Sequence, residues 1–135
     1  MAPTLGLLGT LDGSGQRLFG WGPPTGHPDD AEYWLASNMM RMRWALLLGL
    51  ADDAWKAGSS GVAQELALGA PTAQVALFVA HRELLGVDPP AKVSAAILGG
   101  LGLQPAASFE SRKDALPLAR RMLAYCAMTP AFQTR

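Results

Sequence analysis

The stretch from Ala31 to about Trp55, AEYWLASNMMRMRWALLLGLADDAW, constrains the fold more than any other part of the chain. Leu, Met, Ala and Arg dominate it, and these side chains lose little freedom in a helix. The segment before it, Phe19 to Pro28, holds three glycines and three prolines. It can be neither helix nor central strand. Asp29 or Asp30 then serves as N-cap, with Asp30 and Glu32 suited to the positive end of the helix dipole. Leu35, Met39, Met42, Leu46 and Leu50 recur at spacings of three and four and share one face, while Trp44 and Leu47 lie on another. From Trp44 onward the helix is apolar on nearly every side. That pattern predicts a central position, with a bend at Gly49.

The rest of the chain is also helical in pattern. No run alternates as a half-buried strand does, and β-branched residues are scarce. A short helix is expected from about Pro3 to Leu11, ended by Asp12 to Gly15. Gly58 to Gly61 is a turn, and Val62 to Leu68 a helix stopped by Gly69. Pro71 introduces a helix over Thr72 to Leu85, with Val75, Phe78 and Leu85 inward and Gly86 as its cap. Pro89 and Pro90 introduce Ala91 to Leu98, closed by Gly99 and Gly100. Leu101 to Phe109 reads as loop. Ser111 with Asp114 has the spacing of a capping box and leads into Ala115 to Met128, where Pro117 sits in the tolerated first turn. Thr129 is the expected N-cap of a last turn. The expected fold is all-α: one domain over residues 1–135, a compact bundle of about five to seven helices, with a Gly/Pro-rich loop before the central helix.

Composition narrows the function. The chain has 135 residues, 50% of them hydrophobic and 16% charged, whereas about 25% charged is usual. So thin a polar skin predicts an apolar face covered by something else. The expected cover is a missing N-terminal portion of the same protein or another chain, a second copy included. Eleven basic residues balance eleven acidic ones, and no run of like charge exceeds a pair. A nucleic-acid footprint needs a basic stripe, so none is expected. The longest apolar runs, such as Trp44 to Ala51, fall far short of the ~20 residues of a membrane span. Met1 to Leu11 has no basic leading region and makes a poor signal peptide. The single cysteine, Cys126, allows no internal disulfide.

Candidate chemistry is sparse. His27 with Asp29 and Asp30 is the polar cluster beside the Gly/Pro loop, and such a set ligates metals or moves protons. Its spacing matches no strong metal motif, and helix capping accounts for the two acids. Trp21, Tyr33 and Trp34 offer an aromatic platform for a flat ligand or an anchor for the loop. Asn38, Arg41 and Arg43 offer an anion site or partners for loop carbonyls and Asp29. The candidate ligand-binding set is therefore Trp21, His27, Asp29, Asp30, Trp34, Asn38, Arg41 and Arg43. His81 reads as a satisfied core-edge histidine, Cys126 as a small hydrophobe, and Met39, Met40 and Met42 as core filler. No phosphate loop, nucleophile elbow, zinc motif or dinucleotide fingerprint is present. No metal, cofactor or autonomous catalytic centre is expected.

Three segments carry a resemblance to a known family. They are GQRLFGW at Gly15 to Trp21 with the following PTGHPD loop, Tyr33-Trp34 with NMMRMRW at Asn38 to Trp44, and MTPAFQTR at Met128 to Arg135. In this order they resemble the C-terminal region of the bacterial "domain of unknown function 1800" group, whose closing segment commonly reads A-S-P-E-F-Q-x-R. Met42 stands where a second arginine is usual, and Thr129 and Ala131 replace the usual Ser and Glu. The resemblance implies a predominantly helical C-terminal portion of a longer, often exported protein. It also implies gene pairing with a family related to sulfatases and alkaline phosphatases. It carries over no catalytic residue. The leading expectation is a structural or interaction module. The alternative is a ligand-binding or hydrolytic half-site, lined by the Trp21 to Asp30 loop and acting on an extracellular glycan or ester.

Overall fold

A computed structural model describes residues 37–52 and 61–133, together with Gly9 and Asp12. The expectations for the Phe19 to Pro28 loop, the N-cap at Asp29 or Asp30 and residues 58–60 of the expected turn lie outside these residues; Gly61, expected in that turn, is helical. Gly9 and Asp12 are helical. The described chain forms six helices: α1 (Ser37–Ala51), α2 (Gly61–Gly69), α3 (Ala73–Leu85), α4 (Ala91–Gly100), α5 (Ala115–Ala127) and the single turn α6 (Pro130–Gln133). No strand occurs among the described residues; one isolated bridge joins Thr72 and Ser108. The all-helical bundle is the fold the sequence pattern predicts.

Among the described residues, the helix with the most neighbours is α5 rather than α1. Helix α5 packs against α1, α2, α3, α4 and α6. Ala115, Ala119, Met122 and Cys126 form one buried line along it, with Ala124 and Ala127 buried on a further face. Small side chains on several sides let neighbouring helices approach from several directions. Helix α1, with Met, Leu and Trp all round, is fully buried only at Ala51 among its described side chains. Its residues at 39, 40, 42 and 46–48 are half-buried, and Trp44 and Leu50 are exposed. The core itself is built from α2, α3, α4, α5 and the loop before α5, with alanine its commonest residue. Apolarity in sequence thus does not choose the helix with most neighbours; α5 has the shape that neighbours can surround.

Local backbone accounting explains the element boundaries. The Thr72 hydroxyl accepts a bond from the Val75 N–H at 3.3 Å and caps α3. The next free donors of that helix, the N–H groups of Ala73 and Gln74, reach the carbonyls of Ala107 (2.9 Å) and Pro105 (3.0 Å). The loop before α5 therefore satisfies the start of α3, where a helix leaves donors unpaired. In return the N–H groups of Phe109 and Glu110 bond to the carbonyls of Pro71 and Ala70, both at 3.1 Å. This clamp places Phe109 at the largest fully buried position in the core.

Some local expectations change. Val75, expected inward, is 42% exposed; the buried line of α3 runs through Ala73, Ala76, Leu77, Ala80 and His81. Helix α4 continues through Gly99 and Gly100 and is closed by Gly102 at φ 67°, the position that requires a residue without Cβ. The capping box at Ser111 is absent. The Ser111 hydroxyl meets that of Ser108 at 2.7 Å, and Asp114 makes no side-chain cap. Its two carboxylate oxygens are taken by Arg112 at 2.9 and 3.0 Å. Gly86 does end α3, at φ 71° with its N–H bonded to Arg82.

Candidate functional site

The place where chemistry-bearing residues converge is the C-terminal end of α5. A helix leaves its last four carbonyls without intrahelical partners. Here each of them is met. The Met128 N–H reaches the carbonyls of Ala124 (2.9 Å) and Tyr125 (3.2 Å). Cys126 accepts from the Thr129 hydroxyl at 2.7 Å. Ala127 accepts from the Gln133 amide Nε2 at 2.6 Å. The turn α6 makes this geometry possible. Its N–H groups at Phe132 and Gln133 bond back to the Thr129 carbonyl, both at 3.1 Å, and turn the Gln133 side chain toward α5. Thr129, expected to cap α6 with its side chain, directs its hydroxyl backward to α5 instead.

The other head of the Gln133 amide faces α1. Arg43 donates from Nη1 to Gln133 Oε1 at 3.3 Å, across a sequence separation of 90 residues. The two contacts fix the amide orientation, since a guanidinium can only donate and a carbonyl can only accept. A cation near the negative end of α5 is also favourable. At the far end of α1, Asp52 receives the Arg121 Nε at 2.7 Å. That hydrogen bond, and then the charge of Asp52, raise the Arg121 pKa. Helix α1 is thus fastened to α5 by polar contacts at two places along its length.

Beside the second fastening lies a cleft of about 550 Å³, lined by Ala51, Asp52, Asp114, Pro117, Leu118 and Arg121. Both of its carboxylates already face arginines. Arg112 holds the Asp114 carboxyl below its ordinary range through a direct hydrogen bond. The cleft therefore presents two carboxylates already paired with arginines. Among the described residues, no group of three His, Cys, Asp or Glu side chains could hold a metal.

Of the candidate residues, Trp21, His27, Asp29, Asp30 and Trp34 lie outside the described residues. Asn38 is in α1, and its side chain also lies outside them. Arg41 is exposed and Arg43 half-buried. Two residues apart on a helix, they do not share a face. Gln133, Asp52 and Arg121 were not among the candidates; only Gln133 carried a signal, as part of the closing MTPAFQTR segment. His81 is 2% exposed, and its Nδ1 donates to the Val87 carbonyl at 2.6 Å, as expected of a satisfied core-edge histidine. Cys126 is buried, and burial pushes its thiol up to about 12.

Arg43 and Gln133 come from the two distant segments, NMMRMRW and MTPAFQTR, that carried the family resemblance, and here they touch. The family model "Protein of unknown function (DUF1800)" matches residues 2–134. The chain belongs to this family. No curated protein and no solved structure matches it. For this DUF1800 member the Arg43–Gln133 contact gives two of the recurring family segments a physical task, closing the end of α5 and seating α1 on it. Among its described residues no helix is long and apolar enough to cross a membrane.

Proposed function

We propose that this DUF1800 chain is a structural and interaction module. In this reading it is the helical C-terminal part of a larger exported bacterial protein, and the exposed apolar surface of α1 docks on the rest of that protein or on another chain. One observation carries the reading. Helix α1 is built of Met, Leu and Trp, yet Trp44 on one face is 38% and Leu50 on another 43% exposed. Each Å² of apolar surface removed from water is worth about 25 cal/mol, so this surface gains from a cover. Helix α1 packs on α5 with most of its other described positions half-buried and leaves these two side chains available.

Sedimentation of the chain across a range of concentrations tests this. The expected result is concentration-dependent association that Trp44→Ser with Leu50→Gln relieves, with the thermal melt nearly unchanged because both positions are exposed. A chain that stays monomeric throughout, and binds no apolar dye, overturns the reading. The half-site alternative is separated by a melt screen against glycans and divalent metals. A ligand-induced rise that is lost in His27→Ala favours it.

A further inference from the structure

We infer that the groove between α2 and α3 docks a basic amphipathic helix of a partner protein. The inference rests on the interaction-module reading and adds a second surface to it, separate from α1. Val62 and Leu66, and Glu65 and Gly69, are each four apart along α2 and form one wall. Val75, Val79 and Glu83, each four apart on α3, form the other. Leu66 and Ala70 are buried and make the floor. Val79 is 42% exposed, as is Val75.

Size and charge choose the occupant. The groove has a volume of about 140 Å³, below the several hundred Å³ of sites that enclose a whole small molecule. It suits one or two aliphatic side chains inserted from a helix lying across it. Both ionisable groups in its lining are carboxylates, Glu65 and Glu83. The neighbouring cation Arg82 is turned to Asp88, at 2.6 Å. A leucine or methionine anchor flanked by Lys or Arg would fill the groove and meet both acids. A second copy related by a two-fold axis would instead set these glutamates against themselves, and an anionic bilayer would be repelled.

Gly69 supplies a blocking variant. A Cβ added there meets nothing within 4 Å, and Gly69→Trp places a bulky ring at the wall of the groove. The experiment is fluorescence anisotropy of a labelled Leu/Lys amphipathic helical peptide titrated with the whole chain, with a Leu/Glu peptide as charge control. The Leu/Lys peptide is expected to bind and the Leu/Glu peptide to fail. Glu65→Gln with Glu83→Gln should weaken binding roughly tenfold, as two exposed ion pairs of modest strength would, and added salt should do likewise. Gly69→Trp, or Val79→Asp at an exposed position, should abolish binding while the melt is retained. Equal binding of both peptides, no binding of either, or indifference to both blocking variants overturns the inference. So does self-association that Gly69→Trp removes, which would make a second copy the occupant. Trp44→Ser with Leu50→Gln should leave peptide affinity unchanged. If that pair relieves association while the peptide test fails, the module reading stands and the groove assignment falls.

Discussion

Phe109 shows how much one residue outside any helix can hold. It is fully buried, and the backbone bonds beside it tie the loop to the start of α3. Phe109→Ala is expected to cost about 3–5 kcal/mol, the range for deleting a buried aromatic ring and leaving a cavity, measured by urea denaturation. A loss under about 1 kcal/mol, typical of a surface change, would mean the loop is not pinned. Nothing in the sequence marked Phe109 as core, because burial in a loop follows no period. His81 and Cys126 were legible, since a lone polar or thiol side chain among helical apolar residues has few other places to go. With its thiol raised to about 12, Cys126 stays protonated at neutral pH and is a poor nucleophile.

At the scale of elements, patterns local to a few residues were read well. The end of α3 follows from Gly86, which acts within one turn, and α2 ends at Gly69; Thr72, read as the first residue of α3, is instead its N-cap. The start of α5 shows the limit. Ser111 and Asp114 had the spacing of a capping box, but Arg112 between them offers the Asp114 carboxylate a two-toothed ionic partner, and a charged pair outcompetes a neutral cap. This has a pH consequence. The Asp114 pKa is lowered from 3.8, so the stabilisation is complete above about pH 3.8 and is lost as pH falls through the lowered value. The pair adds no pH dependence between pH 5 and 7. Thermal melts taken from about pH 5 down to below about pH 3.8 should show a slightly steeper acid limb for the wild type than for Asp114→Asn. Identical limbs would show the pair contributes nothing. The effect is small because both side chains are largely in water.

At the scale of the whole molecule, the sequence points to an all-helical bundle, but among the described residues α5 has more neighbours than α1. Hydrophobicity along α1 does not bury it on all sides, since Trp44 and Leu50 are exposed. What decides the centre is how many neighbours a helix can admit, and alanine-rich α5 admits more than Met- and Leu-rich α1. The Arg43–Gln133 contact was equally out of reach, since nothing local links residues 90 positions apart. Both findings give one account: α5 is the frame, the closing segment caps it, and α1 is fastened to it as a separable layer, which the proposed function would turn toward a partner. Native-state hydrogen exchange, residue by residue, tests this most directly. The account predicts that α5 amides exchange only by global unfolding and that α1 amides open at lower free energy. Gln133→Ala should speed exchange in α1 far more than in the middle of α5. If α1 and α5 exchange together, at one free energy that Gln133→Ala lowers equally, α1 belongs to the core and the account is wrong.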